Sequence, residues 1–242
     1  MTEAWIGFAG GVFAVLVSVA VAIRQSRVEE RLERVRSDLA IEQHQREALI
    51  DRDLRADEVL ARYREPLAAA AFDLQSRLFN ILRLGFFGLF GGEHERSEDA
   101  TRTTLFRLAQ YFGWTEILRR DIQFLSFPEA EDTRRVAHLQ SEIAKRFLSD
   151  AYGEELMIWS DEQRALGERM IVEEHGKVLC MGYAAFRERC EVAFAPWAAR
   201  LSDELERGAA HERLRDVQHL LCELVETLDT HRVRYADDLE RA

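Results

Sequence analysis

The sequence predicts an all-α fold, with a single N-terminal transmembrane helix, a long juxtamembrane helix, and then a helical bundle with at most one small β-hairpin. Three observations predict it. Residues 4–23 carry no charge, only three prolines and 13 glycines interrupt the 242 residues, and long runs are rich in Ala, Leu, Glu and Arg. Because sandwiches and barrels of strands need frequent turns, such a composition favours helices.

The first element is the predicted membrane span, residues 4–23, which read AWIGFAGGVFAVLVSVAVAI. At about 1.5 Å per residue a helix of this length is roughly 30 Å long, the thickness of the hydrocarbon core of a bilayer. Five arginines follow it between Arg24 and Arg36 and no basic residue precedes it. The positive-inside rule then predicts a single-pass protein of the cell membrane, with its N-terminus outside and its C-terminal body in the cytoplasm.

A cleaved signal peptide is the alternative interpretation of this stretch, because Ala20-Val21-Ala22 has the small-x-small pattern of a cleavage site. The lack of a basic residue before the stretch and the arginines just after it favour an uncleaved anchor.

Small residues recur along the predicted span and lie close together on a helix surface: Gly7, Gly10, Gly11, Ala14 and Ser18. Small side chains let two helix backbones approach closely in lipid, so these residues are candidates for packing two copies into a homodimer. The alternative is that Gly, Ala and Ser are simply common in membrane helices.

The second element, residues 24–64, has no Gly or Pro and is predicted to be a helical stalk. Val28, Leu32, Val35 and Leu39 follow the 4-3-4 spacing of a two-stranded coiled coil, but charged residues then occupy the register. Because fewer than three heptads are free of charged residues in the seam, two interpretations remain. The segment is either a short parallel coiled coil or a solvated helix with charge pairs. Pro66 is expected to break the helix.

The body, residues 65–242, is predicted to contain several amphipathic helices. Their approximate bounds are 67–84, 99–124, 126–148, 160–172, 183–207 with a kink at Pro196, and 209–239. Apolar runs at 157–159 and 178–181 flank a polar turn at 173–177 and indicate the small hairpin. The stretch GFFGLFGG at 85–92 either folds its aromatic side chains onto the core or enters the inner leaflet.

Charge and cysteine content restrict the partners and the compartment. The formal net charge is −11, and residues 65–242 contain 23 basic and 33 acidic residues. A body with a net charge of −10 repels phosphate backbones, so we expect no nucleic-acid partner. Three cysteines without a Cys-x-x-Cys pair are typical of free thiols in a reducing compartment.

Four strings in the body carry a resemblance: YREPLAAAAFDLQSRLFNIL (63–82), YFGWTEILRRDIQFL (111–125), DEQRALGERM (161–170) and CMGYAAF (180–186). They resemble an uncharacterised family of bacterial proteins, common in actinobacteria, that has the same N-terminal anchor. The resemblance spans most of the body and implies the anchored helical architecture. It implies no activity and no catalytic residue.

No nucleotide-binding, zinc-protease, hydrolase or kinase motif occurs in the sequence, so we expect no cofactor, no catalytic residue and no metal. His219, Cys222, Glu223 and Glu226 share a helix face as metal ligands do, but an ordinary polar helix face has the same pattern.

Polar residues inside apolar helices are candidates for a ligand pocket: Asp73, Arg77, Glu116, Arg120, Gln163 and Arg164. If they converged they would bind a polar or anionic ligand, with arginine as the clamp. The alternative is a network of ion pairs that fixes helix register.

These patterns favour a membrane-anchored interaction or scaffold protein whose acidic body recruits an unidentified cytoplasmic protein. The second hypothesis is a membrane-bound sensor or enzyme with a ligand pocket among the arginines and glutamates just named.

Overall fold

A computed structural model describes residues 36, 39, 41–48, 50, 54, 58, 60–122, 131–208, 210–229, 234–235 and 238–242. The chain divides into two compact units, Met1–Asp51 and Arg52–Ala242. In the first unit, residues 41–48 are helical and exposed. The predicted span at 4–23, with Gly7, Gly10, Gly11, Ala14 and Ser18, lies outside the described residues. None of the helices that the structure describes is both long and apolar enough to cross a membrane.

The second unit is a helical bundle with one two-stranded sheet, which confirms the predicted all-α class. Its first helix, α1, includes residues 60–83. The later elements are α2 (Phe86–Phe90), α3 (Ser97–Ile122), α4 (Glu131–Leu148), a 3₁₀ turn (Asp150–Tyr152), α5 (Ser160–Met170), β1 (Ile171–Glu174), β2 (Lys177–Cys180), α6 (Tyr183–Ala193), α7 (Ala195–Glu206) and α8 (His211–Leu228).

The core forms where the apolar stripes of these helices meet. Helix α1 runs antiparallel to α3. Two hydrogen bonds show this orientation: Tyr63 donates to Asp121 near one end of the pair, and Arg77 donates to Thr104 near the other. Helix α3 packs mainly against α5, and α4 against α8. Fully buried side chains come from every one of these helices, among them Leu67, Leu105, Ile143, Leu166 and Leu221.

Pro66 does not break the helix, contrary to the prediction from the sequence: residues 60–83 are helical throughout. Proline removes one backbone hydrogen bond and normally costs about 3 kcal/mol in a helix interior. Here Leu60, Tyr63 and Leu67 on both sides of the proline are buried in the same core. Their burial, at about 1.5–3 kcal/mol for each large apolar side chain, outweighs that cost.

The structure contains the small hairpin, but with other bounds than predicted: β2 covers 177–180 rather than 178–181, only 175–176 lie between the strands, and the first strand lies elsewhere. Strand β1 pairs with β2 antiparallel, with Ile171 opposite Cys180 and Glu174 opposite Lys177. The predicted first strand at 157–159 is instead connecting chain, and α5 ends two residues earlier than predicted, at Met170. His175 and Gly176 both have positive φ, 52° and 73°, which is the two-residue turn that matches the twist of paired strands.

The last two predicted helices are also corrected. Residues 183–207 form two helices, because the chain breaks at the fully buried Phe194 and Pro196 then lies in the first turn of α7, where a missing N–H costs little. Helix α8 ends at Leu228 rather than 239. The Asp229 carboxylate accepts hydrogen bonds from the N–H groups of Arg234 and Tyr235, which turns the chain back along the bundle.

The glycine-rich stretch at 85–92 contains helix α2. Phe87 is buried in the core, and Phe86 packs against Phe87 and Phe90. Phe90 is 36% exposed, and its neighbour Leu89 is 62% exposed. The aromatic residues are thus divided between the core and the surface.

Candidate functional site

A carboxylate held by two arginines lies where α3 crosses α5. Glu116 is 3% exposed, and each of its oxygens accepts a 2.7 Å hydrogen bond from Nε of a neighbouring arginine, Oε2 from Arg119 and Oε1 from Arg120. Nη2 of Arg120 lies 3.1 Å from Oε1 of Glu168 on α5. This Glu116 cluster (Glu116, Arg119, Arg120 and Glu168) therefore ties the two helices together.

Two glycines bring the helices close enough for this contact. A Cβ atom on Gly167 of α5 would lie 2.6 Å from the carbonyl oxygen of Phe112 and 2.9 Å from Cβ of Glu116. A Cβ atom on Gly113 of α3 would lie 2.8 Å from Cβ of Met170. Such distances are too short for carbon atoms, so the crossing of α3 and α5 requires glycine at both positions.

The charge of the Glu116 carboxylate is stabilised despite its burial. Burial alone would raise its pKa, but the hydrogen bonds and charges of Arg119 and Arg120 outweigh it and hold the pKa below its ordinary value. Both arginines are about 40–45% exposed, so their outer donors remain in contact with solvent. Because its pKa is lowered, Glu116 stays ionised at neutral pH and does not take up a proton. The Glu116 cluster is therefore suited to stabilising the helix crossing.

Arg77 lies in a separate place, on the seam between α1 and α3. It is 7% exposed, donates from Nη1 to the Thr104 hydroxyl at 3.3 Å, and stacks its guanidinium 3.9 Å from the centre of the Phe86 ring. Asp73, one turn earlier, is exposed and forms no ion pair with Arg77 among the described contacts. The predicted pair between Asp73 and Arg77 is therefore not formed.

The remaining two candidates lie on α5. Gln163 is buried, and its amide donates to the carbonyl oxygens of Ile158 at 2.8 Å and Ala144 at 3.1 Å, which fixes the chain entering α5. Arg164 is exposed. The structure thus brings Glu116 and Arg120 together, while the described hydrogen bonds and ion pairs connect neither of them to Arg77 or Gln163.

No family model, curated protein or solved structure matches the chain.

The proposed metal face of α8 is engaged in other contacts. The buried thiol of Cys222 lies beside the amides of Gln75 and Gln218, and Glu223 pairs with Arg135 at 3.0 Å. His219 contacts the main-chain oxygen of Ala242, and Glu226 pairs with Arg241. Within the described ranges no three or more His, Cys, Asp or Glu side chains are placed to hold a metal ion.

Sequence reasoning missed Arg213, the most deeply buried charge among the residues that the structure describes. It is 0% exposed, yet its guanidinium donates to five carbonyl oxygens that follow or end α4: those of Arg146, Phe147, Ser149, Gly153 and Glu155, at 2.6–3.1 Å. A cation at a helix C-terminus also interacts favourably with the helix dipole. One feature of the sequence could have indicated that Arg213 is buried. It lies four residues before Val217 and eight before Leu221, on the apolar stripe of α8.

An apolar cavity of about 20 Å³ lies in the core between α1, α3, α4, α7 and α8. Its walls include Leu74, Leu105, Phe147 and Leu214. The volume fits about one water molecule, but apolar walls offer it no hydrogen bonds. We interpret this cavity as a packing defect.

Proposed function

We propose that the protein is a membrane-anchored interaction protein whose acidic helical body recruits a protein partner in the cytoplasm. One observation carries the proposal: residues 4–23 form an uncharged stretch of bilayer length, followed but not preceded by arginines. The resemblance to bacterial proteins with an N-terminal anchor supports the same architecture.

The contacts inside the body support an interaction role. Arg213 uses its donors on backbone carbonyls, Gln163 fixes the entry to α5, and Glu116 joins α3 to α5. Each of these polar groups is bonded by the fold itself. We assign them structural roles, and we place recognition on the surface, where the net charge of −10 over residues 65–242 favours a partner with a basic face.

We further propose that two copies associate through the anchor and the stalk. In the stalk, Leu39 and Ile50 are 53% and 60% exposed. If the stalk is one helix, as the sequence predicts, their separation of 11 residues is about three turns and places them on one face. In the anchor, Gly10, Ala14 and Ser18 form the small-residue ridge that close helix packing in lipid requires.

Protease accessibility tests the anchor and its orientation. The full chain with a C-terminal epitope is expressed in a bacterium, and inverted vesicles are washed with alkaline carbonate. We expect the chain to stay in the membrane and its epitope to be digested without detergent. A double substitution, Val12→Arg with Leu16→Arg, places two charges in the span at a cost of about 5–7 kcal/mol and should release the chain. Release of the unmodified chain, or an epitope protected in inverted vesicles, would contradict the proposal.

Energy transfer between labelled copies in liposomes tests the homodimer. Gly10→Ile should reduce the transfer because a branched side chain separates the helices, whereas Val12→Ile, on another line of the helix, should not. Equal transfer in both variants would exclude the small-residue ridge as the contact.

A further inference from the structure

Arg77 is unusual because it is buried without a carboxylate and, unlike Arg213, without acceptors for all of its donors. Only 7% of its surface is exposed. Nη1 donates to the Thr104 hydroxyl, but Nε is buried without an acceptor, and none of the described residues accepts a hydrogen bond from Nη2. Leaving a buried charged donor unsatisfied costs about 1–3 kcal/mol or more, so an arginine in this state calls for an explanation.

A second arginine lies beside it. Nη1 of Arg107 reaches across from α3 to the carbonyl oxygen of Asp73 at 3.0 Å, while Arg77 reaches across from α1 to Thr104. Because α1 and α3 are antiparallel, Asp73 lies opposite Arg107 and Arg77 lies opposite Thr104. The two contacts are therefore about one helical turn, roughly 5 Å, apart.

The two guanidinium groups repel each other. Burial, and then the charge of Arg107, lower the pKa of Arg77 to about 10. No carboxylate among the described residues forms an ion pair with either group, and the nearby Asp73 side chain is exposed and forms none. Two like charges this close are stabilised when an anion lies between them.

One edge of the Arg77 guanidinium, at Nε and Nη2, has no protein acceptor among the described residues, and oxyanions bind arginine along such an edge. The Phe86 ring covers the face of the Arg77 guanidinium at 3.9 Å, whereas hydrogen bonds leave a guanidinium along its edge, in its plane. Stacking on an aromatic ring holds the group in one orientation. The half-buried Arg107 connects the site to the surface.

We propose that Arg77 and Arg107 form an oxyanion site that takes a phosphate group. Thr104 positions Arg77 and does not bind the anion, because its hydroxyl donates to the Ala100 carbonyl oxygen. The phosphate bridges the two guanidinium groups and accepts from the unsatisfied edge of Arg77, as charge-assisted pairs between arginine and phosphate do. It comes either from free phosphate or from the headgroup of an anionic lipid. The site does not depend on the membrane anchor or on a protein partner.

Thermal unfolding of the full chain in nonionic detergent tests this site. In one arm, potassium phosphate replaces chloride at constant ionic strength and pH 7. In the other, the micelles carry either phosphatidylglycerol or phosphatidylcholine at equal mole fraction. A ligand that binds only the folded chain raises its Tm with concentration. We expect such a rise in at least one arm.

Variants locate the site. Arg107→Gln removes one of the two charges from a half-buried position and should weaken the apparent affinity by about tenfold or more. Arg77→Gln should do the same if it folds. Arg102→Gln is the matched control, since Arg102 lies on the same helix but is already bonded to Glu98 and Asp99.

The outcomes divide clearly. A rise with inorganic phosphate that Arg107→Gln weakens and Arg102→Gln does not supports the site with free phosphate as its ligand. The same pattern with phosphatidylglycerol alone supports it with a lipid headgroup. No rise in either arm, or an equal rise in Arg107→Gln and the unmodified chain, overturns the proposal.

Discussion

Arg213→Met should be among the most destabilising substitutions in the body. The side chain of methionine fills much of the same volume but donates nothing, so five carbonyl oxygens lose the hydrogen bond from Arg213, and among them that of Phe147 keeps its bond from the Ile158 N–H. At about 1.5–3 kcal/mol for each bond to a charged group, a simple sum exceeds 7 kcal/mol. Part of that sum is recovered, because methionine needs no desolvation and some carbonyls turn towards water. We therefore expect a loss of about 3–5 kcal/mol in the free energy of unfolding, as for other broken buried charges.

Urea unfolding of the full chain, followed by circular dichroism at 222 nm, measures this loss. Arg215→Met is the matched control, because Arg215 lies two residues away on the exposed face of α8 and its substitution should change stability by less than about 0.5 kcal/mol. Arg213→Lys keeps the charge but loses the planar fork of donors, so its cost should lie between those of the two methionine variants. If Arg213→Met costs less than about 1 kcal/mol, or no more than Arg215→Met, the reasoning is refuted.

Three further predictions concern the crossing of α3 and α5 and the thiols. Gly167→Ala should cost about 1–3 kcal/mol in urea unfolding because its Cβ would lie 2.6 Å from the Phe112 carbonyl oxygen, whereas Gly88→Ala, which meets nothing within 4 Å, should be neutral or stabilising. The lowered pKa of Glu116 gives stability that is complete above the ordinary value of 4.5 and is lost as the pH falls through the folded value, so Glu116→Gln should flatten the acid limb of stability against pH. Burial raises the pKa of Cys180 to about 12 and of Cys222 to about 11, so at pH 8 both thiols should react with an aromatic disulfide much more slowly in the folded chain than in urea; equal rates would contradict their burial.

Helical periodicity predicted most of the body, because apolar side chains recur at the spacing that buries one face of each helix. Periodicity failed where core burial or a single side-chain hydrogen bond decided where a helix continues or ends. Pro66 is accommodated because Leu60 and Leu67 are buried on either side of it, and α8 stops where the Asp229 side chain captures two N–H groups. Neither outcome follows from the spacing of apolar residues alone.

The polar candidates illustrate the same limit. The i,i+4 spacing of Glu116 and Arg120 predicted a pair that the structure contains, yet Asp73 and Arg77, with identical spacing, are not paired. Both arginines could also point towards a neighbouring helix. Arg120 keeps its bond to Glu116 and also reaches Glu168 on α5, whereas Arg77 bonds to the Thr104 hydroxyl on α3 and not to Asp73. Which acceptor an arginine binds thus depends on the neighbouring helix.

The bonds of Arg213 also bear on the order of events during synthesis. The carbonyl groups at the end of α4 find their donor 58–67 residues later in the chain, and the face of α4 that packs on α8 has no cover until α8 leaves the ribosome. At 5–20 residues per second, the 80 residues from the end of α4 to the end of α8 take about 4–16 s to translate. During that interval Val136, Leu139 and Ile143 form an apolar stripe on a nascent chain, which is the kind of surface that ribosome-bound chaperones shield.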